Sequence, residues 1–181
     1  MKIILGIDPG TTILGFALID ATSNKEILLD IGTFRLNKIK DHAEKLKAIF
    51  EKTLEIIEHH HPQILAIEAP FYGKNPQSML KLGRAQGVVI AAAMYKGLEV
   101  YEYSPRKIKQ SITGNGNASK EQVAAMLINM NLIQNNKHSF DATDALAVAI
   151  CHHLQHKISF DGQKFSGWEA FLSKNQNRII K

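Results

Sequence analysis

The 181-residue sequence predicts an α/β domain: a five-stranded mixed sheet flanked by helices. Three observations predict it. Two apolar runs at the start of the chain are joined by Asp8-Pro9-Gly10-Thr11-Thr12, the residue types of a β-hairpin turn. An alternating third run follows closely enough to pair antiparallel with the second. An amphipathic helical segment then leads to another apolar run, and a strand, helix, strand succession imposes a right-handed crossover with parallel pairing.

The first run, Ile3-Ile4-Leu5-Gly6-Ile7, is apolar at almost every position, as a strand buried on both faces requires, and it ends on Asp8. That carboxylate must lie in a wet crevice, be paired, or hold a metal, because an unpaired buried charge is too costly. Leu14 to Asp20 is the second strand and Glu26 to Phe34 the third, with Ile27, Leu29 and Ile31 alternating. Asp41 to His61 places Leu46, Phe50, Leu54 and Ile57 at helical spacing, and Pro62 ends it. Gln63 to Glu68 is a second apolar strand ending in an acid. Beside the first strand it brings Asp8 and Glu68 to one sheet edge, where ligands of open α/β sheets collect.

Residues 69–77 read as a loop, and Ser78 to Lys96 as a helix with an unusually small face (Gly83, Gly87, Ala91 to Ala93). That face suits either a partner helix or the sheet. Leu98 to Tyr103 is the fifth strand, and Ser104-Pro105 opens a short basic helix. Residues 113–118 form a loop rich in Gly and Asn, read as flexible, and Ser119 with Gln122 offers a capping box for a helix to Met130. The last helix, capped by Ser139, spans Phe140 to about His156 and is rich in small residues. One domain over residues 1–156 is expected, with 157–181 as a tail whose Trp168, Phe171 and Leu172 suit a short packed helix.

A single cysteine, Cys151, leaves no disulfide framework and no thiolate metal site, and no apolar run approaches membrane-spanning length. A soluble, cytoplasmic protein is expected. The net charge is +5, yet residues 70–120 alone carry eight Lys or Arg against Glu99 and Glu102. A polyanion such as nucleic acid, or simple solvation of helix faces, accounts for that concentration.

Asp141 and Asp144, three residues apart, project from nearly one helix face, and the alanines around them permit close approach to the sheet. Asp8, Glu68, Asp141 and Asp144 would then share one crevice, repelling one another unless cations intervene, and oxygen-only ligands select hard divalent ions. Taken singly, first-turn aspartates also suit a helix macrodipole, and Glu68 before Ala69-Pro70 also suits a turn.

The segments Ile4-Leu5-Gly6-Ile7-Asp8-Pro9-Gly10, Ala66-Ile67-Glu68, Phe71, Lys74-Asn75, Leu80-Lys81-Leu82-Gly83 and Asp141-Ala142-Thr143-Asp144-Ala145-Leu146-Ala147 resemble the bacterial RuvC family of Holliday junction resolvases. The resemblance runs in order from Met1 to about His153. It implies a ribonuclease H-like fold, three antiparallel strands followed by two parallel ones, and metal-dependent cleavage of four-way junctions in recombination and repair. It implies that Asp8, Glu68, Asp141 and Asp144 hold two Mg2+ ions per subunit, with Mn2+ as a substitute. Ions ~3.5–4 Å apart can activate water and stabilise the leaving oxygen.

Lys109 and Lys120 match basic positions near the cleaved strand, and Phe71 matches an aromatic that stacks on an unpaired base. Solvated lysines and core packing of Phe71 are the plain alternatives. Lys74, Lys81, Arg84, Arg106 and Lys107 are expected to contact phosphates rather than read bases. The implied partners are four-way junction DNA, a second copy of the chain through the helix after the fourth strand, and the RuvA–RuvB branch-migration complex. Ala69-Pro70 departs from the family pattern and bears on the placement of Phe71.

Two rivals remain at this level. The hairpin Gly6-Ile7-Asp8-Pro9-Gly10-Thr11-Thr12 also looks like the phosphate-binding turn of sugar kinases and actin-like ATPases, which close two such domains over a nucleotide, and this chain holds one. A non-catalytic relative would lack an acid, and all four are present. Among the eight histidines, His59 to His61 sit at a helix end and His152 and His156 at i, i+4 spacing with no third ligand, which suits the surface. His138 precedes the acidic helix.

Overall fold

The computed structural model describes residues 2–22, 26–70, 75–134 and 138–161, with side chains through His156. Strands β1 (Ile3–Asp8), β2 (Ile13–Asp20), β3 (Ile27–Arg35), β4 (Ile64–Glu68) and β5 (Glu99–Tyr103) form one sheet in the order β3-β2-β1-β4-β5. Pairing is antiparallel across β3, β2 and β1 and parallel across β1, β4 and β5, as the sequence predicts. Helices α1 (His42–His60) and α2 (Pro76–Tyr95) cover one face; α3 (Pro105–Thr113), α4 (Lys120–Asn129) and α5 (Phe140–Asp161) cover the other.

Strand periodicity decides where the acids point. Ile3, Leu5 and Ile7 of β1 pack with Leu65 and Ile67 of β4 in the core under α1 and α2. The alternate residues Ile4, Ile64 and Ala66 pack in the core under α5. Ile7 is paired in register with Ile67, so Asp8 and Glu68 come next on adjacent parallel strands and share the α5 face.

Helix α5 lies directly on the sheet backbone. A Cβ added to Gly6 would collide with the carbonyl oxygen of Ala145, and one added to Gly15 with that of Asp141. These two strand glycines are the seat on which the acidic end of α5 rests. Sequence reasoning credited the alanines of the helix and overlooked the glycines opposite them.

Three boundaries differ from expectation. Helix α2 starts at Pro76 rather than Ser78, because the Asn75 side chain caps it, accepting from the backbone N–H of Gln77 (3.0 Å) and Ser78 (3.2 Å). Helix α5 continues to Asp161, past His156. The segment 113–118, read as flexible, is a braced turn. Asn115 Oδ1 accepts from the Asn117 N–H (3.0 Å), Ala118 is buried and donates to the Asn115 carbonyl (3.1 Å), and Gly116 sits under the Arg106 side chain. The capping box of Ser119 and Gln122 forms as expected, and Ser104 caps the helix that Pro105 opens, accepting from the Lys107 N–H (3.3 Å).

On α2, Ala85, Gln86, Val89, Ala92 and Ala93 face the protein, whereas Gly83 and Gly87 meet open space. The two glycines of the small face therefore do not pack on the sheet, whereas its Ala92 and Ala93 are buried. Trp168, Phe171 and Leu172 lie outside the described residues.

Substituting Gly15→Ala should force α5 off the sheet and lower the unfolding free energy by about 1–3 kcal/mol, the cost typical of overpacking, as read by urea denaturation.

Candidate active site

Asp8 and Glu68 from the strand ends, Asp144 from α5, Lys109 from α3 and Lys120 from α4 line one crevice of about 170 Å3, whose apolar walls include Ile108, Val123 and Ala147. Asp141, at the start of α5, lies outside that lining but within electrostatic reach, since its charge acts on Asp8, Asp144 and Lys120. Three of the four acids expected to share a crevice line it, and the fourth, Asp141, lies beside it.

Burial, then the charges of Glu68 and Asp144, pushes the Asp8 carboxyl up to about 8. Glu68 is pushed up to about 7, chiefly by burial and then by Asp144. Asp144 is raised as well, by burial, against an opposing pull from Lys120. The Lys120 ammonium forms an ion pair with Asp144 Oδ2, and the two side chains are 53% and 14% exposed. Burial alone would lower the Lys120 value, but its hydrogen bond to Asp144 and the neighbouring acids raise it.

The donor set, carboxylate oxygens without sulfur or imidazole, fits a hard divalent cation, and the raised carboxyls show how much positive charge the crevice demands. Among the described residues, no three potential ligands are already drawn together around one point. The positive charge on Asp144 is that of Lys120.

Gln86, which sequence reasoning missed, is 5% exposed and donates to Glu102 Oε2 (2.7 Å) and, at 3.5 Å, to the Glu68 carbonyl. It ties α2 to the end of β4 beneath the site. A glutamine at helical spacing with the buried Val89 and Ala93 was the available signal.

The other predicted contacts are dispersed. Lys81 and Arg84 are exposed on α2, and Arg106 and Lys107 are exposed on α3, all outside the crevice. Phe71 and Lys74 fall outside the described residues. A second cleft of about 130 Å3, walled by Pro9, Ala69, Pro70 and Leu82, also borders Asp8 and Glu68. His138 lines a separate groove between α4 and α5, away from the acids. His60 lies 3.2 Å from Asp30.

The surface placement expected for His152 is overturned. It is 1% exposed, its Nδ1 is 2.9 Å from the Tyr103 hydroxyl, and burial followed by the charge of His156 depresses it to about 3. The small residues that let α5 sit close to the sheet carry His152 into the core with them.

This sheet order, with acids converging from its two central parallel strands and from the helix laid across them, defines a nuclease of the ribonuclease H-like class. The chain belongs to the crossover junction endodeoxyribonuclease RuvC family, whose model matches residues 4–152. A crossover junction endodeoxyribonuclease RuvC of Christiangramia forsetii is 52% identical over 98% of this chain and 93% of its own length, and one of Bacteroides fragilis is 51% identical over 98% and 96%. Among solved structures, Thermus thermophilus RuvC in complex with Holliday junction substrate superposes with a TM-score of 0.81 at 29% identity, covering 88% of this chain and 97% of that one. Among the described residues, no helix is long and apolar enough to cross a membrane.

The raised carboxyls fix the sign of a pH effect. With divalent ions chelated, folded Asp8 and Glu68 keep their protons up to about pH 8 and 7, while the unfolded chain releases them near 3.8 and 4.5. The folded state therefore binds more protons across this window, and stability falls as pH rises from 5 to 8. Thermal melts in chelator should show that decline, and Asp8→Asn should flatten it.

Proposed function

We propose that this chain resolves four-way DNA junctions during recombination and repair, hydrolysing one phosphodiester on each of two strands. The observation that carries this reading is the meeting of Asp8, Glu68 and Asp144 in one crevice with Lys109 and Lys120, with Asp141 beside it within electrostatic reach. The junction bound by the Thermus thermophilus relative supports the choice of substrate.

Asp8, Glu68, Asp141 and Asp144 are the metal ligands, for two Mg2+ ions or for Mn2+ in their place. Bound there, the ions supply an activated water and neutralise charge on the departing oxygen. The chain does the rest. The apolar walls restrict solvent around the acids, and the Lys109 and Lys120 ammonium groups face the same space, where they can balance charge growing on the phosphate. Lys74, Lys81, Arg84, Arg106 and Lys107 hold the arms by their phosphates, a sequence-independent contact suited to a branched substrate. Phe71 stacks on an unpaired base at the crossover, a contact worth roughly 1–3 kcal/mol.

Two symmetric cuts require two sites, and a two-fold dimer supplies them. Leu80, Met94 and Tyr95 on α2 are 59%, 65% and 76% exposed and share its outward side with Gly87, a surface suited to a second copy. Residues 1–156 make up the nuclease domain and 157–181 a peripheral tail. In the cytoplasm, the RuvA–RuvB branch-migration complex is the partner we assign.

Asp8→Asn should bind a synthetic four-way junction with near-native affinity in gel-shift titration and cut it at least about 100-fold more slowly; native-rate cutting would refute the ligand assignment. Met94→Glu should convert a dimer to a monomer in sedimentation velocity and replace paired cuts with single nicks. An unchanged sedimentation coefficient would move the interface elsewhere.

A further inference from the structure

The crevice already holds one cation of its own. Lys120 is the first residue of α4, fixed by the capping box of Ser119 and Gln122 and by the braced turn before it, and its side chain reaches across to Asp144 on α5. Lys109 lines the same crevice, yet no carboxylate pairs with its ammonium among the contacts of the site. The two lysines are therefore not equivalent. Only Lys120 occupies an oxygen that the metal reading needs, and it acts on Asp8 and Glu68 as well as on Asp144, whereas Lys109 reaches only the last two.

We propose that Lys120 is an internal counter-ion for Asp144 that competes with divalent metal for that carboxylate, so that metal loading and release of Lys120 are one exchange. This rests on the metal reading of the site given above. Two positive charges held against one carboxylate repel each other, so each must weaken the other's hold on it. Lys120 displaced from Asp144 remains anchored at the start of α4, where its ammonium becomes free to meet a backbone phosphate in the crevice. By the same reciprocity, a phosphate that draws Lys120 away leaves Asp144 open to metal, so substrate and metal should favour each other's binding. Lys120 then sets the order of assembly: it keeps the acids together when they would repel, and yields when cation and phosphate arrive.

The test is direct measurement of Mn2+ binding to the full chain without DNA, by the loss of free-ion signal in electron paramagnetic resonance. Lys120→Met keeps the length of the side chain and removes its charge, and should tighten the Asp144-dependent Mn2+ site by about two- to tenfold. Lys120→Arg, which keeps the pair, should bind as the native protein does. Lys109→Met controls for simple loss of positive field and should shift affinity by less than Lys120→Met. Equal shifts for the two methionine variants, or an unchanged or weaker affinity in Lys120→Met, would overturn the proposal. If Asp8→Asn abolishes Mn2+ binding while Lys120→Met leaves it unmoved, only the counter-ion role fails. If neither the native protein nor Lys120→Met binds Mn2+, the metal reading fails along with it.

Discussion

The contact on which the rest depends is backbone against backbone: helix α5 resting on β1 and β2 where Gly6 and Gly15 leave room for it. A side chain at either glycine would hold the helix away, and Asp141 and Asp144 would retreat from Asp8 and Glu68 by the same amount. Small residues on both surfaces are what make the approach possible, since Ala145 and Ala149 of α5 are fully buried over the strands. Dense packing thereby sets distances among carboxylates that no carboxylate interaction would choose.

That geometry is electrostatically unfavourable by itself. Burial in an apolar-walled crevice raises the proton affinity of three acids, neighbouring carboxylates raise it further, and the two lysines mounted on α3 and α4 oppose the rise. The fold supplies the stability and the site consumes part of it, a common division between scaffold and active centre. The sheet bears this load because both of its faces are covered by large apolar clusters, with Leu5 and Ile7 fully buried beneath α1 and α2.

Strand order, parallel pairing and the approach of Asp8, Glu68 and Asp144 were legible in the sequence because period-2 burial, terminal carboxylates and a helix of small residues are local signals. The capping box at Ser119 was legible for the same reason: a hydroxyl followed by an N–H three residues on is chemistry contained within one turn. What escaped depends on pairs distant in the chain. Gly15 matters only because Asp141 lies over it, Gln86 only because Glu68 and Glu102 come to it, and His152 is buried only because β5 presents Tyr103. The Gly and Asn turn misled in the opposite sense: its composition suggests looseness, while its hydrogen bonds and Arg106 hold it in place.

The tied turn between α3 and α4 mounts Lys109 and Lys120 on a common bracket. A residue inserted there would break the Asn115 hydrogen bonds and the path into the Ser119 cap, and would move Lys120 relative to Lys109. The spacing between these two ammonium groups is thus geared to the length and composition of a surface connection, since Asn115 supplies its hydrogen bond and Gly116 leaves no room for a Cβ beside Arg106.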